Sequence, residues 1–318
     1  MGVSDKIDPE LVSVLSSLTP ADFSDLPRLR EQRLQAILEA TRDIAPDPTV
    51  ARRDATAPGL DGGPDVPLRV YRPVGDDQSL PCLFWIHGGG HILGSIDQDD
   101  VQCDHFARTG RCVVVSVEWR HSPEHPYPAE MDDCYAGLRW TADNATDLGI
   151  DTRRLAVGGR SSGGGAAAGL ALLARDRDGP SICHQLLIYP MLDDRNTTPS
   201  SFNDVHPGLW TRDMNLIAWR VYLGADHFGT DEVPPYAAPS RAQDLTGLPA
   251  TSMFTGELDL FRDENVTYAS DLLAAGVTTE VHLYPGTYHG FDVFVPSARV
   301  SQRAIRDIDD ALSRALTP

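Results

Sequence analysis

Short apolar runs alternate with stretches of helical character along most of the chain. The runs have the length and composition of β-strands. Near-continuous apolar strands are buried on both faces, so the pattern predicts an α/β fold with a twisted, mostly parallel sheet of about eight strands flanked by helices, its opening pair antiparallel. The predicted strands are 51–57, 66–72, Cys82–His87, Cys112–Glu118, Leu155–Gly158, Cys183–Tyr189, Ala250–Thr255 and Glu280–Tyr284.

Helices are predicted between most of these strands and in two regions outside the alternation. Residues 1–50 have apolar positions at helical spacing and predict an N-terminal helical cap. The interval between Tyr189 and Ala250 is too long for a plain loop and predicts a cap insertion near 195–225 within a main domain of 51–318. The predicted helices are 98–109, 128–145, 162–175, 213–223, 263–275 and a last one carrying Ile305, Ile308, Leu312 and Leu316.

The charge of the chain narrows the function classes. The 318 residues carry 27 basic and 46 acidic side chains, a formal net charge of −19, and Lys6 is the single lysine. A surface this acidic repels phosphate backbones and anionic membranes, so nucleic-acid and membrane partners are not expected. We also expect anionic small molecules to bind poorly unless arginines such as Arg160 or Arg212 offset the field locally.

The five cysteines have no CxxC spacing, and several lie in or beside apolar runs. They predict buried thiols in a reducing compartment, with neither structural disulfides nor a metal site. The first residues lack the pattern of a signal peptide, and no apolar stretch is long enough for a membrane span. The sequence predicts a cytoplasmic protein and leaves the oligomeric state open, a homodimer included.

A nucleophile motif stands between a predicted strand and a helix of small residues. Residues 159–163 read Gly-Arg-Ser-Ser-Gly, which is a G-x-S-x-G pattern with Ser161 at its centre. In this context the serine lies on a sharp strand-to-helix turn where only small neighbours fit. Ser161 is therefore the candidate nucleophile, and the backbone N–H of Ser162 is a candidate oxyanion donor.

A second glycine-rich loop follows the strand that ends at His87. Gly88, Gly89 and Gly90 allow backbone N–H groups to approach an oxyanion, as acyl transfer from serine requires. No Lys-Ser/Thr pair follows the glycines, so a phosphate-binding P-loop is a poor interpretation. His87 precedes the donors and is predicted to anchor the loop rather than to act as a base.

The acid and the base are expected in loops after the last two strands. Asp259 follows Ala250–Thr255, with Glu257 as the alternative acid, whereas Asp263 is interpreted as the N-cap of the next helix. His289 follows Glu280–Tyr284, so Ser, Asp and His occur in the chain order of α/β-hydrolases. These groups meet only if the strand ends share one edge of the sheet.

The chain resembles the bacterial hormone-sensitive-lipase-like esterases of the α/β-hydrolase superfamily. The resemblance rests on the motifs at 87–90, 159–164, 257–264 and 289–291, and on the segments 122–128 and 236–239. Within the family, the stretches 59–66, 236–251 and 258–264 are most similar to a bacterial acetyl-ester hydrolase. The resemblance implies cofactor-free hydrolysis of short-acyl carboxylic esters through an acyl-enzyme intermediate.

The resemblance also implies roles for individual residues and exposes departures from the family pattern. Ser161, Asp259 and His289 correspond to the catalytic triad, and Gly88, Gly89, Gly90 and Ser162 to the oxyanion hole. The family usually has Asp and Ala where Arg160 and Ser162 stand beside the nucleophile, and His91 replaces a frequent aromatic residue. Further candidates for substrate contact, with core packing as the alternative, are His91, Trp210 and Trp219.

Two other functions remain open on the sequence. The same fold serves hormone receptors in plants that have lost the histidine, so a binding module is one alternative, although His289 is retained here. The other is an enzyme with the same triad that acts on a lactone or an amide.

Overall fold

The strands of the protein form one sheet at the centre of a three-layer structure. The computed structural model describes residues 6–76 and 78–317. The strands are β1 Val50–Ala57, β2 Val66–Pro73, β3 Leu80–Ile86, β4 Val113–Val117, β5 Ile150–Arg160, β6 His184–Ile188, β7 Ala250–Gly256 and β8 Thr279–Tyr284. The α-helices are α1 Leu26–Thr41, α2 Asp100–Thr109, α3 Ala129–Asp143, α4 Ala145–Leu148, α5 Ser162–Asp176, α6 Arg212–His227, α7 Arg262–Ala274, α8 Phe291–Phe294 and α9 Arg299–Leu316.

The eight-stranded sheet has the order β1-β2-β4-β3-β5-β6-β7-β8. Strands β1 and β2 pair antiparallel, β2 also runs antiparallel to β4, and all further pairs are parallel. The predicted α/β fold with a mostly parallel sheet is therefore confirmed. Strands β3, β4 and β6 are buried along their whole length, which explains their uninterrupted apolar sequences.

One predicted strand is much longer than its apolar run. Strand β5 begins at Ile150, which pairs with Leu80, whereas the sequence predicted a start at Leu155. The intervening residues include Asp151, Arg153 and Arg154, which are joined by ion pairs at the protein surface. Their polarity hid the first part of the strand, because pattern reading finds buried strands by their apolar residues.

The N-terminal region differs from the predicted helices in its first part. Residues Pro9–Leu11 and Ser13–Ser17 form 3-10 turns, and within residues 6–49 the one α-helix is Leu26–Thr41. The hydroxyls of Ser16 and Ser17 donate to the carbonyls of Ser13 and Val14. Such local bonds compete with an α-helix, which accounts for the difference.

The long interval between β6 and β7 contains the 3-10 turn Pro199–Phe202 and helix α6. Helices α1 and α6 share one apolar cluster, in which Leu26 and Leu29 join Trp219 and Tyr222. The predicted helix at 213–223 is thus confirmed and slightly extended. None of the helices in the described ranges is both long and apolar enough to cross a bilayer.

Removal of the Phe84 ring is expected to cost the fold much of its stability. Phe84 is fully buried at the centre of β3, so Phe84→Ala leaves a cavity and should lower the free energy of unfolding by about 3–5 kcal/mol. Urea denaturation followed by circular dichroism measures the change. Val74→Ala is the control, because Val74 is 61% exposed and its truncation should change stability by less than about 0.5 kcal/mol. Equal effects of the two variants would contradict this account of the core.

Candidate active site

Ser161 occupies a strained turn between β5 and α5. Its backbone has φ 58° and ψ −125°, a conformation that side-chain-bearing residues rarely adopt. The turn brings α5 against β3 so closely that a Cβ on Gly163 would lie 2.1 Å from the carbonyl oxygen of Ile86. Glycine at 163 is therefore a steric requirement of the turn, as the nucleophile motif predicts.

His289 connects Ser161 to Asp259 through two hydrogen-bond contacts. Its Nε2 lies 2.9 Å from Ser161 Oγ, and its Nδ1 lies 2.8 Å from Asp259 Oδ2. The Asp259 side chain is fully buried, and its other oxygen accepts the amide N–H of Phe261 at 2.9 Å. The three predicted residues, which come from loops after β5, β7 and β8, thus meet at one edge of the sheet.

The two other carboxylates of the Asp259 loop have different partners. Glu257 accepts the amide N–H of Gly286 at 2.9 Å and so ties the Asp259 loop to the His289 loop. Asp263 accepts the amide N–H of Ser200, and α7 begins at Arg262 with Phe261 at its N-cap position. The Asp263 amide in turn donates to the Ser200 hydroxyl oxygen at 3.0 Å. The prediction that Asp263 is the N-cap is therefore wrong, because this carboxylate binds the interval before α6 instead.

The glycine loop after β3 lies beside Ser161. A Cβ on Gly88 would lie 3.3 Å from the Cβ of Ser161, and the Gly88 carbonyl accepts a hydrogen bond from Gln98. Within residues 6–76 and 78–317, the amides of Gly89 and Gly90 donate to no protein acceptor. The amide of Ser162 lies in the first turn of α5, where backbone N–H groups have no partner within the helix.

His87 packs beneath the glycine loop and contacts its backbone. Its ring is fully buried and stacks on Trp119, with ring centroids 4.6 Å apart, and its Nδ1 lies 3.0 Å from the Gly88 carbonyl oxygen. Burial lowers the pKa of the nearby His121 to about 3, so that its ring is neutral at pH 7. These contacts agree with the interpretation of His87 as an anchor.

The three candidates for substrate contact lie in different environments. His91 is 1% exposed, stacks on Tyr222 and has its Nδ1 2.7 Å from a buried Glu130 oxygen, and Trp219 is fully buried in the cluster of α1 and α6. Neither side chain has surface for a substrate in this structure, which corrects that expectation. Trp210 is partly exposed, and a Cβ on Gly90 would lie 2.2 Å from its indole ring.

Two aromatic rings contact the His289 imidazole. Tyr189 meets it with ring centroids 4.7 Å apart and Phe261 with centroids 5.1 Å apart, both edge to face. Neither residue was identified from the sequence. Tyr189 was included only as the end of a predicted strand, and Phe261 only as part of a family motif.

Arg160 pairs with Asp292, which in turn binds the Tyr189 ring that contacts the imidazole. Its guanidinium lies 3.4 Å from an oxygen of Asp292, and the other Asp292 oxygen accepts the Tyr189 hydroxyl at 2.8 Å. Burial by itself would lower the pKa of Arg160, but the negative charge of the neighbouring Asp292 carboxylate opposes this effect, and the pKa lies above the usual range, which keeps the side chain charged. Burial raises the pKa of Tyr189 well above its usual range, so its hydroxyl stays protonated.

The five cysteines are free thiols, and four of them are buried. Burial raises the pKa of Cys82, Cys103 and Cys134 well above the usual range, which makes them unreactive at neutral pH. In the part of the chain that the structure describes, no group of three or more His, Cys, Asp or Glu residues is arranged to hold a metal ion.

Comparison with known proteins agrees with this geometry. Residues 83–293 match a protein family described as having the α/β hydrolase fold. The carboxylesterase NlhH of Mycobacterium tuberculosis is 38% identical over 301 residues, which is 92% of each chain. The ethyl acetate hydrolase of Pseudomonas putida is 32% identical over 232 residues, which is 72% of each chain.

The solved structure of a bacterial heroin esterase superposes with a TM-score of 0.94 at 42% identity and covers 99% of both chains. These relatives are named as ester hydrolases, which favours an enzyme over the alternative of a binding module. The resemblance inferred from the sequence motifs is thereby confirmed. The chain is a carboxylic-ester hydrolase and belongs to the hormone-sensitive-lipase-like family of the α/β-hydrolase fold.

Proposed function

We propose that the protein is a serine carboxylesterase in which Ser161, His289 and Asp259 form the catalytic triad. The observation that carries this proposal is the pair of contacts that His289 makes, at 2.9 Å to Ser161 and 2.8 Å to Asp259. A histidine in hydrogen-bond reach of a serine hydroxyl, and itself oriented by a carboxylate, is the arrangement that activates a serine nucleophile.

The proposed reaction has two steps. Ser161 Oγ attacks the ester carbonyl carbon while His289 Nε2 accepts its proton, and the buried Asp259 stabilises the positive imidazolium. His289 then gives the proton to the departing alcohol, which leaves the acyl group on Ser161. Water attacks this acyl-enzyme with the help of His289 and releases the carboxylic acid.

The negative oxygen of each tetrahedral intermediate is bound by backbone amides. Gly89, Gly90 and Ser162 supply the N–H groups, while Gly88 allows the loop to lie against Ser161. The free amides of Gly89 and Gly90 support this role, because preorganised donors stabilise charge that develops in the transition state.

We further infer that α1 and α6 form a cap over this site and that the acyl group is short. Trp210 lies two residues before α6, and its ring fills the space above Gly90. The ring also meets the Phe23 ring edge to face, with ring centroids 6.0 Å apart. A ring in this position restricts the room beside the oxyanion loop. The names of two relatives, a heroin esterase and an ethyl acetate hydrolase, agree with small acyl groups.

Removal of the nucleophile should abolish nearly all hydrolysis. For Ser161→Ala we expect kcat for p-nitrophenyl acetate to fall roughly 10⁴–10⁶-fold, with a remainder due to the oxyanion hole and binding. Steady-state kinetics on the variant and on the wild type measure the loss. A Ser161→Ala enzyme with the wild-type rate would disprove the proposed mechanism.

The two carboxylates of the acid loop should respond differently to neutralisation. Asp259→Asn is expected to lower kcat about 10⁴-fold, because a neutral amide no longer stabilises the imidazolium. Glu257→Gln is the matched control and should retain kcat within about threefold, because its side-chain oxygen still accepts the Gly286 amide. The reverse pattern would assign the acid to Glu257.

Shortening Trp210 should extend the range of acyl chains. Trp210→Ala is expected to raise the ratio of kcat/KM for p-nitrophenyl octanoate to that for the acetate by about tenfold or more, because one or two methylenes are worth about 1–3 kcal/mol in a pocket. Phe202→Ala is the control, since Phe202 is 63% exposed and precedes α6. An unchanged ratio in Trp210→Ala would place the acyl group elsewhere.

A further inference from the structure

A charged side chain is buried directly next to Ser161. Arg160 ends β5, its side chain is 15% exposed, and its guanidinium lies 3.2 Å from the side-chain oxygen of Gln102 and 3.4 Å from that of Asp292. Burying a cation is costly unless it is paired, so this arginine needs the neighbouring carboxylate. The triad reaction described above gives Arg160 no role.

Asp292 has a separate partner for each of its oxygens. Its side chain is 4% exposed on the short helix α8, which begins two residues after His289. One oxygen faces Arg160, and the other accepts the Tyr189 hydroxyl at 2.8 Å. A change in the charge of Arg160 would therefore act on the position of Asp292 and, through it, on Tyr189.

Tyr189 connects Asp292 to the His289 imidazole. Its ring is 2% exposed and meets the His289 ring edge to face at 4.7 Å, and its backbone has a positive φ of 36°. The strained backbone shows that the surrounding contacts fix this residue. The hydroxyl bond to Asp292 thus holds the ring that lies against the His289 imidazole.

Asp292 is a second carboxylate connected to His289, because it accepts the hydroxyl of the Tyr189 ring that contacts the imidazole. Without a counter-charge it would compete with Asp259 for the positive imidazolium that forms during reaction. Asp99 is another buried carboxylate near Arg160, but it accepts the indole N–H of Trp85 at 2.6 Å. The Arg160 guanidinium is thus the counter-charge of Asp292.

We propose that Arg160, Asp292 and Tyr189 form a positioning unit for His289. Arg160 neutralises Asp292, Asp292 holds the Tyr189 hydroxyl, and the Tyr189 ring keeps the imidazole within reach of both Ser161 and Asp259. The proposal rests on the triad function of His289. Arg160 is a positioning residue that acts through Asp292 and Tyr189 and does not itself touch the ester.

The test compares single and double variants with p-nitrophenyl acetate. Arg160→Met should lower kcat roughly tenfold to a hundredfold, because small displacements of reacting groups cost rates of this size, while KM stays within about threefold. Arg160→Met combined with Asp292→Asn should recover part of kcat, since the unpaired carboxylate is gone and the asparagine oxygen still accepts the Tyr189 hydroxyl. Arg160→Lys should recover most of it.

Two further variants keep the test decisive. Arg52→Met removes an arginine that pairs with Asp100 and Asp104 far from His289, so it should lower the melting temperature and retain the wild-type kcat. If Arg160→Met does not fold, Tyr189→Phe decides, because it keeps the ring and deletes the hydroxyl. It should lower kcat roughly two- to tenfold at unchanged KM.

Several results would overturn the positioning unit. These are a wild-type kcat in Arg160→Met or Tyr189→Phe, a kcat of the double variant that is no higher than that of Arg160→Met, or the same loss of kcat in Arg52→Met as in Arg160→Met. Loss of activity in Ser161→Ala together with any of these results would refute only the positioning unit. An active Ser161→Ala enzyme would instead refute the triad on which the unit rests.

Discussion

The close contact between the end of β3 and the start of α5 is the constraint on which the site depends. Ile86 pairs with Gly159 in the parallel register of β3 and β5, and the Ile86 carbonyl leaves no room for a side chain at Gly163. This contact brings the glycine loop and Ser161 to the same point from two different strands. The proposed oxyanion donors and the proposed nucleophile are thereby adjacent without any contribution from flexible side chains.

The same sheet edge collects the remaining groups, because β5, β6, β7 and β8 run parallel and their carboxyl ends point the same way. A short loop after each strand is then sufficient to bring its side chain to the site. The loops also support one another, as Glu257 binding to the amide of Gly286 illustrates. The common direction of the strands therefore brings the groups of the site together, and individual contacts between the loops then hold them in place.

Much of this arrangement could be predicted from the sequence, and the reasons for the failures are physical. The sequence predicted a strand at each of the eight that the described residues form, six of them from apolar runs. The fixed spacing of glycine and serine around Ser161 identified the turn, because sterics at Gly163 leave little choice of residue. Contacts between residues that are far apart in the sequence leave no local sequence pattern from which they could be predicted. The partner of Arg160, the binding of Asp263 to the Ser200 amide and the burial of Trp219 all depend on which segments meet in space.

The first described turns of the chain are fastened to the loop that carries His289. Asp8 donates its amide to the Gly286 carbonyl, and Tyr288 donates its hydroxyl to the Leu11 carbonyl across 277 positions of sequence. During synthesis these turns are made before their binding partner, which follows 277 positions later in the case of Leu11 and Tyr288. The nascent protein therefore cannot complete its N-terminal packing until the loop that carries His289 has left the ribosome.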